Sequence, residues 1–344
     1  MRISTVQQAF EEFEREHVRV PNVENTAAKK LQQEFRDAME AALVELYAES
    51  FLAGSYRRKT QAEHLKDLDI IIVLNDPTGE LRASAKRTLE MVKRHAPAYG
   101  PVIGCEVKCR AVECELDGHT FWADLVPALS DGQGGLLLAY WNRDTGEDEW
   151  RPADPKAQTQ ACADKNRETN GVYVPVTRTG KYWNQSFTSS PSDEKPVPSY
   201  YVEAILHDAI AAECEWPQAL TWFFERAREH LQNPRPSIPC PGAPAGTWVD
   251  ENLDPERRMK AVVKVEDALG HARRAMAEPD AGKAMDHWAK VLGPAFPSPS
   301  THPSLIAQAL KGGTATLVGS GVSATPVGRK PIPARSHRRA GPRR

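Results

Sequence analysis

The sequence predicts an α+β protein in which a mixed αβ lobe is followed by a helical lobe. Apolar, β-branched runs of strand length lie in about the first 130 residues, whereas later apolar residues recur at helical steps of three or four. The chain has 344 residues, of which 40% are apolar and 26% charged. This composition is sufficient for a sizeable buried core.

The first predicted elements are a long helix and two strands. Between Asn25 and Tyr47 the apolar residues follow the helical period, which predicts an amphipathic helix. Phe51 to Ser55 is typical of a short strand that breaks at Gly54, and Leu68 to Leu74 is an apolar run of strand length. A basic loop is expected between the two strands.

A helix and a hairpin are predicted next. The apolar spacing from Leu81 to His95 indicates a helix. Glu106 to Leu116 and His119 to Val126 are interpreted as antiparallel strands flanking Asp117-Gly118, a dipeptide suited to a turn in which both residues take positive φ. Pro127 is expected to end the second strand.

The rest of the chain is predicted to be helical after a loop-rich segment from Asp131 to Pro155. Six helices are expected, over Lys156 to Glu168, Val176 to Gln185, Tyr200 to Cys214, Gln218 to Leu231, Pro255 to Ala277 and Ala281 to Leu292. Asn233 to Gly246 is rich in Pro and Gly and should be an irregular connection. The predicted domains are residues 1–150, 151–297 and 298–344, the last a disordered tail of low apolar content.

Charge is distributed unevenly along the chain. The formal net charge is −2, but Lys311 to Arg344 hold eight basic residues and no acidic one, which leaves 36 basic and 46 acidic residues before them and a net charge of −10. An acidic body argues against a broad duplex-binding surface, because phosphate contacts need clustered Lys and Arg. A small charged substrate held by metal fits better. The basic tail is expected to be a flexible extension or a contact for a partner.

Several classes of protein and site are not supported. No apolar run reaches the roughly 18 to 20 residues of a membrane helix, so we expect a cytoplasmic protein without membrane insertion. The six cysteines include no CxxC pair, and we predict neither a disulfide framework nor a zinc site. Cys105, Cys109 and Cys114 are interpreted as apolar filler, and Glu113 and Glu115 as solvent-facing.

Three carboxylates carry the predicted chemistry. Asp67 and Asp69 are two residues apart at the start of a strand and therefore share a face, while Leu68 and Ile70 enter the core behind them. Asp124 lies near the end of the hairpin. Carboxylates on one face remain ionised at low cost only around a cation, and oxygen ligands favour Mg²⁺, with Mn²⁺ as an alternative. We predict a site for two ions, which is suited to phosphoryl or nucleotidyl transfer.

Gly54 and Ser55 are the predicted phosphate-binding residues. A glycine allows close approach of the backbone, and the next N–H and hydroxyl can donate to phosphate oxygens of a nucleoside triphosphate. Arg57, Arg58 and Lys59 add positive charge nearby.

These motifs resemble a known superfamily. GSYRRKTQAEHLKDLDIIIVL and FWADLVPAL resemble the nucleotidyltransferase fold of the DNA polymerase β type. In the helical lobe, GKYWNQSF, PSYYVEAIL and KAMDHWAKVLGPAFP are similar to the bacterial cGAS-like enzymes, the CD-NTase or SMODS family, which make cyclic oligonucleotide second messengers in antiphage (CBASS) defence. The resemblance covers Lys29 to Pro297, and it departs at Lys66, where many relatives have Ser.

The resemblance implies a two-lobed polymerase β-like nucleotidyltransferase whose helical lobe closes a nucleotide cleft against the catalytic lobe of residues 1–150. It implies that Lys181 neutralises the donor triphosphate, that Ser199 hydrogen-bonds a phosphate and that Tyr200 stacks on the base. The alternatives are a solvated helix face for Lys181, a helix N-cap for Ser199 and core packing for Tyr200.

The implied activity is Mg²⁺-dependent joining of nucleoside triphosphates into a cyclic di- or trinucleotide with release of pyrophosphate. The product would act on a downstream cyclic-nucleotide effector, and Asp124 is the expected proton acceptor. Two alternatives stay open. One is nucleotidyl transfer to an RNA 3′ end or a small-molecule acceptor, and the other is a catalytically degenerate nucleotide-binding module.

Overall fold

A mixed β-sheet forms the centre of the first half of the protein. The structure is a computed structural model that describes residues 3–188, 194–251 and 253–301. Within these residues the sheet has seven strands, which are β1 (Tyr47–Leu52), β2 (Asp67–Leu74), β3 (Val102–Val107), β4 (Val112–Leu116), β5 (Trp122–Ser130), β6 (Leu136–Trp141) and β7 (Asp148–Ala153).

Parallel pairing of β2 with β5 organises the sheet. The strand order is β1-β2-β5-β4-β3, and β6 pairs with β5 and β7. β2 and β5 run parallel and in register over eight residues, from Asp67 opposite Trp122 to Leu74 opposite Leu129. The other strand pairs are antiparallel.

Helices α1 to α10 complete the described part of the chain. Their bounds are α1 (Val6–Phe13), α2 (Asn22–Leu43), α3 (Gly54–Arg57), α4 (Ala85–His95), α5 (Pro155–Glu168), α6 (Tyr173–Gln185), α7 (Ser199–Ala209), α8 (Trp216–Gln232), α9 (Pro255–Ala277) and α10 (Ala281–Leu292). A π-helical turn at Glu14–Val18 follows α1 directly.

The two faces of the sheet have different neighbours. On one face Leu68 and Ile70 of β2 and Leu125 of β5 pack into a core with the apolar sides of α2 and α4. On the opposite face a smaller apolar cluster includes Ile71 and Val126. Because side chains alternate along a strand, Asp67, Asp69 and Asp124 lie on this second face, at the amino-terminal ends of β2 and β5.

A second core is built mainly from helices. Trp183 of α6, Tyr201 of α7, Phe223 of α8 and Trp288 of α10 are all buried in it. The chain's first helix also belongs here, since the Phe10 ring lies 4.9 Å from that of Trp288. A segment within predicted domain 1–150 thus packs with the helices of the second half, while the domain division itself stays a prediction.

Most predicted elements are confirmed. The α+β class is confirmed, and each of the six predicted late helices exists. Pro255–Ala277 and Ala281–Leu292 have the predicted bounds, and the ends of the other four differ by at most five residues. The long helix spans Asn22–Leu43, so it ends before the predicted Tyr47, and it buries Ala28, Leu31, Phe35, Met39 and Leu43. The connection from Asn233 to Gly246 contains no helix or strand.

The predicted hairpin is wrong in two details. Glu106 to Leu116 is divided between β3 and β4 by a short connection, so it is not one strand. Gly118 has φ of +73°, but Asp117 does not take positive φ, so the two-residue turn is not formed. The connection to β5 runs through residue 121 and is longer than the dipeptide pattern predicted.

Two further predictions are wrong, because β5 is longer than predicted and is followed by two more strands. Pro127 does not end this strand, which continues to Ser130. One edge of β5 pairs with β2, and the other edge pairs first with β4, as far as Leu125, and then with β6, from Ala128 onwards. Pro127 lies between these two partner strands, so its missing N–H does not cost a hydrogen bond in the sheet. The segment from Asp131 to Pro155 is not mainly loop, because β6 and β7 form a hairpin within it.

The expected disorder of the tail lies largely outside the described residues, which end at Thr301. None of the described helices is long and apolar enough to cross a membrane. A cytoplasmic location stays a prediction.

Replacing Phe10 should reveal whether α1 is part of the helical core. Phe10 is fully buried between Trp288 and Phe296, so Phe10→Ala should lower the free energy of unfolding by about 3 to 5 kcal/mol. Urea denaturation measures this. Val263→Ala, at a side chain that is 64% exposed on α9, is the control and should change stability by less than about 0.5 kcal/mol. Equal stability of Phe10→Ala and wild type would contradict the packing.

Candidate active site

The predicted carboxylates are brought together by strand pairing. Asp69 and Asp124 are directly opposite each other in the parallel β2–β5 pair, and Asp67 lies two residues before Asp69 on the same face. Leu68 and Ile70 are buried behind them, as predicted. Residues from distant parts of the chain therefore share one end of the sheet.

Burial and neighbouring negative charges raise the pKa values of two of these carboxyl groups. Burial raises the pKa of Asp69 to about 6, assisted by the charge of Asp67 and opposed by Arg58 and Lys181. Burial also raises the pKa of Asp124 to about 7, together with the charges of Asp69 and Asp67. Both shifts indicate an unfavourable accumulation of negative charge.

The donor set suits a hard divalent cation. Among the residues that the structure describes, no group of three or more His, Cys, Asp and Glu side chains is already arranged to hold a metal ion. However, Oδ1 of Asp124 is buried without a hydrogen-bond partner, which is the kind of atom that a cation would satisfy. Carboxylate oxygens are the ligands that Mg²⁺ prefers.

Gly54 fits against the carboxylates in a way that other residues could not. It begins α3 with φ of +64°, and a Cβ at this position would overlap the carboxylate of Asp69. The N–H of Ala53 donates to the carbonyl of Asp69 over 2.9 Å, which fixes the approach of the chain. The glycine is required both by its backbone conformation and by this close contact.

A cleft of about 240 Å³ collects most of the predicted site. Seven of the eight predicted residues line it, and these are Gly54, Ser55, Asp67, Asp69, Lys181, Ser199 and Tyr200. Asp124 does not line this cleft and joins the site through its position opposite Asp69. The same walls include residues that the sequence analysis did not select, which are Gln61, Ala62, His64, Gln185, Lys195 and Glu203.

A buried ion network forms the far wall of the cleft. Glu203 on α7 accepts two hydrogen bonds from Arg58, at 2.8 and 3.1 Å, and one from Lys181 at 2.5 Å. Lys181 also donates to the Thr60 hydroxyl at 3.2 Å. Although burial raises the pKa of Glu203, the two cations lower it to about 2. The alternative of a solvated helix face for Lys181 is wrong, since the residue is buried.

Ser199 and Tyr200 stand at the start of α7. Pro198 is the N-cap residue and Ser199 makes no capping hydrogen bond, so the N-cap interpretation of Ser199 is wrong. The Ser199 hydroxyl instead accepts a hydrogen bond from Lys195 Nζ at 3.0 Å. Tyr200 is half-buried, and the Arg58 guanidinium lies 5.1 Å from its ring centroid.

The expected cluster of positive charge divides between two places. Arg58 lies in the buried network, whereas Arg57 and Lys59 line a separate groove together with Lys29 and Arg178. Lys66, the position that departs from the family pattern, lines the cleft, and burial lowers its pKa.

The residues set aside as non-functional also need correction. Cys114 is buried as expected, but Cys109 is exposed and is not filler. Glu115 is exposed, which confirms its interpretation, whereas Glu113 is half-buried directly opposite Asp124 and contributes to the raised pKa of that residue.

Comparisons with known proteins agree with this geometry. Residues 4–166 match the family model described as Second Messenger Oligonucleotide or Dinucleotide Synthetase (SMODS) domain. The chain is 26% identical over 285 residues to a cyclic AMP-AMP-AMP synthase of Acinetobacter sp. (strain ATCC 27244 / 9458), covering 78% of this chain and 79% of the relative. The chain is therefore similar to the bacterial cGAS-like nucleotidyltransferases, and its residues 4–166 match their SMODS domain.

Solved structures of CD-NTases share its fold. The E. coli MS115-1 CdnC in complex with HORMA-deltaN superposes with a TM-score of 0.69 at 16% identity, covering 85% of this chain and 98% of that one. Vibrio cholerae DncV cyclic AMP-GMP synthase, in complex with the linear intermediate pppA(3′,5′)pG, gives a TM-score of 0.57 at 13% identity, covering 74% and 70%. The predicted polymerase β-like fold is thereby confirmed.

Glu203 is the main residue of the cleft that sequence reasoning missed. It lies in PSYYVEAIL, where it is the one charged residue among apolar and small ones, and a charge in a helix that is otherwise apolar is a signal of a buried partner. Its partners are far away in sequence, at Arg58 and Lys181, so only the fold identifies them.

The glycine requirement is testable with a matched pair of substitutions. Gly54→Ala should reduce nucleotidyltransferase activity by at least about 10-fold, because the added Cβ displaces the Asp69 carboxylate. Gly79→Ala introduces similar backbone strain at φ of +77°, but in open space, and should keep its activity. Steady-state rates of both variants measure the effect, and equal rates would contradict the close approach.

Crowding of the carboxylates predicts a pH dependence of stability. The pKa values of Asp69 and Asp124 rise from 3.8 to about 6 and about 7, so the folded protein holds more protons than the unfolded one and the metal-free protein should lose stability as pH rises from about 4 to 7. Asp124→Asn removes one of these charges. It should be more stable than wild type by about 1 to 3 kcal/mol at about pH 8.

Urea denaturation in EDTA at two pH values checks this expectation. The advantage of Asp124→Asn should shrink towards about pH 5, where the wild-type carboxyl is mostly protonated. Asp117→Asn, at an exposed turn residue, should show no such difference. Lower stability of Asp124→Asn than wild type at the higher pH would rule out the proposed crowding.

Proposed function

We propose that this enzyme joins nucleoside triphosphates into a cyclic di- or trinucleotide with release of pyrophosphate. The observation that carries the proposal is the meeting of Asp69 and Asp124 in register beside Gly54, within reach of the cleft that holds Lys181, Ser199 and Tyr200. The names of the relatives support a cyclic product, since they include a cyclic AMP-AMP-AMP synthase and a probable cyclic AMP-AMP-GMP synthase of Salmonella paratyphi B.

The bond changes assign a task to each group. A ribose hydroxyl oxygen of the acceptor attacks the α-phosphorus of the donor, the bond between the α- and β-phosphates breaks, and pyrophosphate leaves. Asp124, on the β5 side of the pair, accepts the hydroxyl proton. Repetition of the step within the linear product closes the ring.

Asp67, Asp69 and Asp124 would hold two Mg²⁺, or Mn²⁺, in this proposal. Such ions supply charge neutralisation at the attacking and leaving oxygens. Gly54 and Ser55 approach the donor phosphates from the β1 side of β2. Ser199 and Tyr200 face the same cleft, where Tyr200 offers a ring for the donor base.

Lys181 can attract the triphosphate only with a charge that it shares with Glu203. Its ammonium group is already paired with Glu203 at 2.5 Å. The network of Arg58, Lys181 and Glu203 has a net charge of +1, so it presents positive potential to the cleft without an unpaired buried cation.

We further propose that the product acts as an antiphage signal of the CBASS type through a downstream cyclic-nucleotide effector. The family match supports a second messenger as product. A partner bound through the basic tail from Lys311 to Arg344 is part of the same proposal.

The test is product analysis with labelled nucleotides. Wild-type enzyme with ATP, GTP, CTP and UTP plus Mg²⁺ should give a phosphatase-resistant product whose mass identifies the ring. Asp67→Ala and Asp69→Ala should each lower the yield by at least about 100-fold, because each removes several kcal/mol of charge stabilisation. Asp117→Ala is the exposed control and should match wild type.

Two outcomes would contradict the proposal. Extension of a labelled RNA 3′ end without any cyclic product would favour the RNA-acceptor alternative. Nucleotide binding without turnover under every combination of metal and nucleotide would favour a degenerate binding module.

A further inference from the structure

Trp122 occupies an unexpected place on the catalytic face. It is the first residue of β5, opposite Asp67 in the parallel pair and two residues before Asp124. Alternation along the strand therefore puts its side chain on the same face as the three carboxylates. Its backbone N–H donates to the Lys66 carbonyl over 3.0 Å, which fixes its position relative to β2.

The indole is partly exposed. Trp122 is 37% exposed and Trp248 is 41% exposed, whereas Trp183 and Trp288 are buried in the helical core. Within the part of the chain that the structure describes, its ring forms no aromatic or cation–π pair, although Trp141 has both Lys86 and Arg143 as cation partners. A partly exposed indole ring beside the carboxylates can bind a flat ligand by stacking.

Sheet order shows on which side of the carboxylates that ligand would lie. Gly54 and Ser55 follow β1, which borders β2 on one side, and β5 borders β2 on the other. In phosphoryl transfer the attacking and leaving oxygens are in line on opposite sides of the phosphorus. If pyrophosphate leaves towards Gly54 and Ser55, the acceptor enters from the β5 side, where Trp122 lies.

We propose that Trp122 is the stacking platform for the base of the acceptor nucleotide. The inference rests on the proposed function, because it requires a nucleotide as the acceptor. Tyr200 lines the cleft on the donor side of the carboxylates, and Trp122 lies on the β5 side. Each nucleotide base would therefore have its own aromatic side chain to stack on. Stacking tolerates any base but strengthens with ring area, so purine acceptors should be preferred.

Substrates that can act in only one role separate the acceptor from the donor. A 2′,3′-dideoxy-ATP donates but has no attacking hydroxyl, and AMP accepts but has no pyrophosphate to lose. Joining the two gives a linear dinucleotide. Trp122→Ala should raise the KM for AMP by about 10- to 100-fold, because the variant loses the stacking of one base on an aromatic ring. The KM for the dideoxynucleotide should stay within about 2-fold of wild type.

Trp122→Phe retains an aromatic face and should restore most of the AMP affinity, which a general disturbance of β5 would not allow. Trp222→Phe, at a half-buried residue on α8, is the matched control and should keep both KM values. UMP in place of AMP should show a smaller difference between Trp122→Ala and wild type, because a pyrimidine stacks over less area.

Tryptophan fluorescence gives a readout that does not need turnover. AMP should quench the emission of wild type and Trp222→Phe, and this quenching should be lost in Trp122→Phe. An unchanged KM for AMP in Trp122→Ala, with product still formed, would overturn the role of Trp122 and leave the proposed function standing. Absence of product from wild type would overturn the proposed function, whereas quenching by AMP that persists in Trp122→Phe would overturn the platform alone.

Discussion

The parallel pairing of β2 with β5 is the constraint on which the active site depends. A slip by one residue would place Leu68 or Ile70 opposite Asp124 and would turn the carboxylates away from each other. The register is held from the other side of the sheet, where the alternate residues of β2 are buried under α2 and α4. The apolar core thus determines the geometry of side chains that it does not contact.

Crowding three carboxylates has an electrostatic cost, and two buried cations offset part of it. Arg58 and Lys181 both lower the pKa of Asp69, while Glu203 holds the two cations in place. Asp124 lies beyond this network, and of nearby cations Lys108 is the one that lowers its pKa. The two facing carboxylates therefore have different cationic neighbours.

Sequence reasoning succeeded where the signal is local. The GS and DxD motifs and the helical periods are short patterns, and the structure places Gly54, Asp67 and Asp69 as these patterns require. It failed where a feature depends on remote pairing. Pro127 is tolerated only because of a gap between two neighbouring strands, and Glu203 is explained by cations more than 20 residues away. Strand β6, by contrast, was missed although its sequence LLLAYW is an apolar run of strand length.

Polar contacts connect the two cores on either side of the cleft. Arg58 on the chain between β1 and β2 bonds Glu203 on α7, and Gln185 on α6 donates to Glu63 at 2.7 Å. Ala62, from the same connection, packs into the helical core. The connection that begins with Gly54 and Ser55 is therefore held at both ends, by β2 and by the helices. The predicted phosphate-binding residues thus lie on a segment that contacts both cores.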